Sequence, residues 1–182
     1  MGNSMNNIKP IAIALGLCLV LVAAAWAGDE KTSKAQEIQW LEYDEGLAKA
    51  KAENKPLFTN FTATWCGWCK KMNKTTFKDP QIVQRLSEDF VAVKVFGDSN
   101  DTLNIDGYVI TEKNLAKAEF KVQGYPTYWF LNPGGEKLGY VSGFQSTTQF
   151  NQVLDRALTA IETQANESAT DKGKTESKDE DK

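Results

Sequence analysis

Trp65-Cys66-Gly67-Trp68-Cys69-Lys70 sets two cysteines, two residues apart, where an apolar strand gives way to a helix. Upstream, Pro56-Leu57-Phe58-Thr59-Asn60-Phe61 is a short apolar and β-prone run, which predicts a buried strand. Thr62-Ala63-Thr64-Trp65 is a brief connection, and Lys70 to Asn73 fit a helix. Cys66 therefore falls at or just before a helix N-terminus. Unsatisfied backbone N–H groups and the positive end of the helix dipole stabilise a thiolate there. They draw a thiol pKa from about 8.5 toward neutrality. Cys69, three residues on, is close enough to close a small disulfide ring. One sulfur can then attack while the other resolves a mixed disulfide.

Other chemistries compete for the pair. Zinc takes four ligands in structural sites, and this chain has no His and only Cys18 besides Cys66 and Cys69. Haem attachment needs a His after the second cysteine, where Lys70 stands. Two thiolates can hold Cu(I). A purely structural disulfide removes little chain entropy when its ring is this small.

Gly124-Tyr125-Pro126-Thr127 follows the cysteines at a distance of about sixty residues. Together the two motifs resemble the thioredoxin family, which packs a cis-proline loop against a W-C-x-x-C-K motif. Phe58 to Phe61, Ala63-Thr64-Trp65-Cys66, Thr75 to Val83 and Gly143-Phe144 are similar, more narrowly, to the C-terminal periplasmic domain of the bacterial transmembrane thiol:disulfide interchange reductases. The likeness covers about residues 38 to 160. It implies an α/β thioredoxin-like fold, a central mixed β-sheet flanked by helices. It implies Cys66 as attacking thiolate and Cys69 as resolving thiol, with no cofactor beyond that redox-active pair. Trp65 would wall the site and shield Cys69. Trp65, Gly67, Trp68, Tyr125 and Pro126 would contact substrate, with Pro126 in cis and the Tyr125 backbone open to an extended segment. Thioredoxins carry a buried Asp six residues before the first cysteine; here that position is Asn60, which cannot titrate. No general base is assigned.

The N-terminus reads as an export signal. Lys9 is the only charge in the first ten residues, Ile11 to Ala25 is apolar or small, and Ala25-Trp26-Ala27 fits a cleavage site. An uncleaved anchor is the alternative, the apolar run being near the lower limit for spanning. Cleavage would remove Cys18 and leave one cysteine pair in an oxidising compartment. The expected organisation is a signal peptide over 1–27, a linker over 28–37, a thioredoxin-like domain over 38–162 and a disordered charged tail over 163–182.

Hydrophobic residues make up 41% and charged residues 25%, with a formal net charge of −3. This suits one soluble core, and the dispersed lysines exclude a nucleic-acid surface.

Along the chain, Ile38 to Leu41 predicts a short first strand, and Asp44 to Asn54 a helix capped by Asp44 with Leu47 inside. Asp79-Pro80 opens a helix carrying Ile82, Val83 and Leu86. Phe90 to Phe96 is a strand. Gly97 to Thr111 reads as a solvated loop. Asp98, Asn100, Thr102 and Asn104 alternate as in a calcium loop, but Leu103 and Val109 replace its obligatory Gly and Glu. Glu112 to Phe120 predicts a helix, Thr127 to Leu131 and Lys137 to Val141 a hairpin, and Thr147 to Ile161 a closing helix.

These readings converge on an exported thiol:disulfide oxidoreductase acting on protein disulfides. It is expected to be a monomer that draws electrons from a membrane donor protein. A reductant or relay fits better than an oxidant, because no His stands between the cysteines to stabilise the thiolate. The alternatives are an oxidant of protein thiols and a non-enzymatic module that binds a partner or Cu(I).

Overall fold

The computed structural model describes residues 37–176, with side chains described through residue 167. The expected signal peptide and most of the expected linker lie outside the described residues. Six strands and five helices follow in chain order. They are α1 (Tyr43–Glu53), β1 (Leu57–Thr62), α2 (Gly67–Lys74), α3 (Pro80–Glu88), β2 (Val91–Phe96), β3 (Thr102–Ile105), β4 (Tyr108–Thr111), α4 (Glu112–Asn114), β5 (Thr127–Leu131), β6 (Lys137–Ser142) and α5 (Thr147–Glu176).

The main sheet has the order β2-β1-β5-β6. β1 runs parallel to β2, and β5 is antiparallel to both β1 and β6. Every residue of β1 is buried, as a central strand covered on both faces requires. Its alternating side chains divide the core in two. Phe58 joins Met72 of α2, Ile82 and Leu86 of α3, and Phe150 and Leu154 of α5. Leu57 and Phe61 face the other way, toward Leu47 and Ala50 of α1 and Leu115 and Phe120. Helices thus cover both faces of a mixed sheet: the fold is thioredoxin-like.

Local chemistry explains the boundaries. Asp79 Oδ1 accepts from the Gln81 and Ile82 N–H groups at 3.0 and 3.3 Å, with Pro80 at the first helical position. Asn54 closes α1 in the left-handed conformation at φ 50°. Glu42, not Asp44, is the residue before α1, and its side chain caps nothing. Asp44 sits inside the first turn, where one carboxylate oxygen accepts from Glu45 N–H and the other from Asn104 N–H. A carboxylate there still favours the positive helix end.

Four expectations change. Ile38 to Leu41 is not a strand, because only Leu41 bridges to β2, beside Val93. Residues 97–111 are not a plain loop, because β3 and β4 pair as an antiparallel hairpin. Asp106 and Gly107 turn it with φ of 53° and 91°, the backbone that a two-residue Asp-Gly turn supplies. Leu103 and Ile110 bury against α1 and β2. The 112–120 helix is mostly a π-helical turn over Leu115–Glu119, where Phe120 N–H reaches back five residues to Leu115 O. Finally, α5 runs to Glu176, so the expected tail is helical from 163 to 176. No Pro and no Gly before Gly173 interrupts its helical hydrogen bonding, and Gln164 Oε1 accepts from Asn132 Nδ2 at 3.1 Å. Residues 177–182 lie outside the described residues.

Candidate active site

The site lies where β1 ends and α2 begins, beside the loop that enters β5. Cys66 N–H donates to Ala63 O at 3.1 Å, closing the turn after β1. Cys66 is then the N-cap of α2, in an extended conformation at φ −72° and ψ 106°. Its sulfur replaces the usual capping oxygen: Cys69 N–H donates to Cys66 Sγ at 3.0 Å. The two cysteines are joined by a disulfide, their Cα atoms 5.3 Å apart.

Both cysteines are 4% exposed and cluster with Ala63 and the Tyr125 ring. Exposure therefore does not separate the two sulfurs in this oxidised state. The cap does, since only Cys66 Sγ points at an orphan N–H of the helix start. Ala63 and Tyr125 pack in the same cluster as Cys69. Trp65 is 69% exposed and stands edge-on to Tyr125, ring centres 5.8 Å apart. Trp68 is 57% exposed and leans on Phe144 at 5.5 Å. Lys71 Nζ lies 5.1 Å from the Trp68 ring centre and 4.5 Å from that of Phe144. Gly67 opens α2, and a Cβ there would meet nothing within 4 Å.

The Tyr125–Pro126 peptide is cis. Pro126 O accepts from Gly143 N–H at 2.8 Å, and Gly124 O accepts from the Thr127 hydroxyl at 2.8 Å. Pairing of β5 with β1 begins only at Thr127. Among the described residues, the Tyr125 N–H and C=O have no backbone partner. A backbone N–H and C=O left without a backbone partner beside a disulfide can receive an extended chain.

Two residues that the sequence reading did not assign to the site hold its rim. Asp98 follows β2, whose parallel pairing brings it beside the end of β1. Its carboxylate accepts from Thr64 N–H at 3.2 and 3.0 Å and from the Thr64 hydroxyl. The hydroxyl bond above all holds the Asp98 carboxyl below the usual carboxylate range. Gly97 makes room for Tyr125: a Cβ there would fall 1.9 Å from Tyr125 Oη. Burial first, then the nearby Asp98 charge, raises the Tyr125 phenol. The signal for both was position, since sites gather at the C-terminal ends of parallel strands.

Asn60 is 3% exposed on β1, opposite Lys94 and Tyr128. Its Oδ1 is buried without a hydrogen-bond partner among the described residues. Lys94 Nζ lies 4.5 Å from the Trp40 ring centre, and burial lowers its pKa. No cluster of three or more His, Cys, Asp or Glu side chains suited to a metal occurs among the described residues.

The chain matches the thioredoxin-like domain family over residues 43–158. It is 34% identical over 159 residues to thiol:disulfide interchange protein DsbD of Salmonella typhimurium, covering 82% of this chain and 26% of that one. It is 34% identical over 89 residues to a protein disulfide-isomerase of Triticum aestivum, covering 49% of this chain and 14% of that one. The chain spans between 12% and 26% of the length of these and similar curated relatives. Among solved structures, a thioredoxin from Thermus thermophilus superposes with a TM-score of 0.57 at 26% identity, over 69% of this chain and 90% of that one. A helix capped by the first sulfur of its cysteine pair, a cis-proline loop alongside and this match over most of the folded region agree: the chain belongs to the thioredoxin-like family.

Proposed function

We propose that this chain is an exported thiol:disulfide oxidoreductase that reduces protein disulfides, or relays electrons to them, through Cys66 and Cys69. The observation that carries the reading is the Cys66–Cys69 disulfide at the start of α2, with Cys66 Sγ accepting the Cys69 N–H. In the reduced protein the same N–H and the helix dipole favour a Cys66 thiolate. That thiolate attacks one sulfur of a substrate disulfide. A Cys66–substrate disulfide forms, and the other substrate sulfur leaves as a thiolate. The Cys69 thiol then gives its proton to solvent, and its thiolate attacks Cys66 Sγ. The Cys66–Cys69 disulfide re-forms, the second substrate thiolate is released, and two electrons have passed to the substrate. No cofactor beyond the cysteine pair enters the cycle. Tyr125 presents its backbone to the substrate segment, and Trp65, Trp68 and Pro126 shape the approach.

Export is supported by the apolar run that ends in Ala25-Trp26-Ala27. In an oxidising compartment the pair must be re-reduced, and a membrane protein that brings electrons from the cytoplasm is the proposed donor. The reductant direction is supported by the residues between the cysteines, Gly67 and Trp68, which add no cationic donor to the sulfur. Equilibration in a glutathione redox buffer should give a potential nearer −270 mV than −120 mV, both of them approximate reference values. A value more positive than about −150 mV would make this an oxidant. The roles are tested separately. Cys69→Ala should trap mixed disulfides through Cys66 in envelope extracts, and Cys66→Ala should trap none. Equal trapping by both variants would undo the assignment.

A further inference from the structure

The helix that carries the cysteines has an uneven charge. Between Ala63 and Lys78 there are four lysines and no Asp or Glu, although the whole chain is net negative. Lys78 is paired with Glu37 at 2.6 Å. Lys70, Lys71 and Lys74 are exposed and have no carboxylate partner among the described residues. Their spacing sets Lys74 four residues after Lys70 and three after Lys71, so the three ammonium groups share one flank of α2. The dipole favours cations in the last turn, where Lys71 and Lys74 stand, but Lys70 lies nearer the middle of the helix. Lys71 also spans the exposed Trp68 and its neighbour Phe144, and so fastens the charge to the aromatic rim beside Cys66 and Cys69. The opposite flank of the site is anionic: Asp98 bonds Thr64, next to Trp65 and Tyr125. The rim is thus polarised, positive along α2 and negative beside the Tyr125 loop.

We propose that this surface selects protein partners carrying acidic side chains next to their reactive cysteine, with the acidic residues docked along Lys70, Lys71 and Lys74. The proposal rests on the oxidoreductase reading and adds the chemistry of its partner. Three ammonium groups around an apolar platform raise the local concentration of anionic segments. Bound acidic residues supply the carboxylates that these lysines lack among the described residues. A basic segment would meet like charge at α2, which is how interfaces reject wrong partners. The aromatic pair supplies contact area that tolerates different sequences. Charge then sets which disulfides are met.

The test uses three short synthetic peptides, each with one internal disulfide flanked by Asp, Ser or Lys. Reduced protein is mixed with each peptide, and the rate of Cys66–Cys69 oxidation is followed by tryptophan fluorescence. In parallel, the affinity of cysteine-to-serine versions of the peptides is titrated on the oxidised protein. At low ionic strength the acidic peptide should exceed the basic one about tenfold in both measurements. The ratio should collapse at about 1 M salt, where the screening length is about 3 Å. It should fall to within about twofold of unity in the Lys70→Gln/Lys71→Gln/Lys74→Gln variant, because the three charges are gone. A ratio near one at low salt overturns the proposal. So does a preference that survives in the triple variant, or no binding by any peptide. Loss of the oxidoreductase reading looks different: no peptide oxidises the pair, while the binding titrations still report on charge.

Discussion

Replacing Gly97 with Ala probes how β2 and the Tyr125 loop share space. The added Cβ would sit 1.9 Å from Tyr125 Oη, 2.5 Å from Cζ and 2.8 Å from Cε1. Regaining an ordinary contact of ~3.5 Å requires the phenol end to retreat by roughly 1.6 Å. Its retreat is obstructed, because the Tyr125 ring packs on Ala63, Cys66 and Cys69 and edge-on to Trp65. Overpacking of this kind costs about 1–3 kcal/mol. Gly97 does not have a positive φ, so Ala also removes freedom from the unfolded chain and returns about 0.4–1 kcal/mol. The net expectation for Gly97→Ala is a loss of about 0–2.6 kcal/mol. In a Tyr125→Ala background the collision disappears and only the unfolded-state effect remains. There the same substitution should be neutral or stabilising by up to about 1 kcal/mol. Urea unfolding of the oxidised protein, with both singles and the double variant, gives the coupling energy. Additive effects, within about 0.3–0.5 kcal/mol, would refute the reasoning and place the strain elsewhere. Turnover should fall with stability in the single variant, since a displacement of ~1 Å at a reacting site can cost about 10²-fold.

Two further outcomes follow from single side chains. Tyr128 is fully buried among Phe58, Phe77 and Phe150, and its hydroxyl has no hydrogen-bond partner among the described residues. Tyr128→Phe should therefore raise stability by about 1–2 kcal/mol, seen as a Tm higher by roughly 3–8 °C; a lower Tm would mean that the hydroxyl is bonded. Asp98 has its pKa lowered by the Thr64 hydroxyl. Its contribution to stability is therefore complete above the unfolded carboxyl pKa of about 3.9 and is lost as pH falls through the lower folded value. Asp98→Asn should flatten the acid limb of urea midpoint against pH, and an unchanged limb would show that Asp98 is not linked to folding.

The cysteine motif, the strand before it and the helix after it were legible because each depends on neighbours in sequence. So was the Asp79-Pro80 start of α3, a local cap. Asp98 was not, because its partner Thr64 lies on another element and only the register of β1 with β2 brings them together. The hairpin carried its own signal, Asp106-Gly107, but the polar alternation of 98–104 reads equally as solvated chain. What decides the matter is that Leu103 and Ile110 bury against α1 and β2. The π-helical turn at Leu115–Glu119 reflects packing of Leu115 and Ala116 into the core, which periodicity does not specify. Asp44 has the residue type of a cap, whereas the fold uses it to tie α1 to β3 through Asn104 N–H.

The sulfur cap of α2 makes one amide a reporter of the redox state. Cys69 N–H ends on Cys66 Sγ, and a thiolate is a stronger acceptor there than a neutral sulfur. Each change in the bonding of that sulfur therefore alters how firmly the first turn of α2 is held. Slower exchange of the Cys69 amide with solvent deuterium marks the charged sulfur, and faster exchange the neutral one. The electron count of the pair is written in the opening rate of a single backbone hydrogen, with no probe attached to the protein.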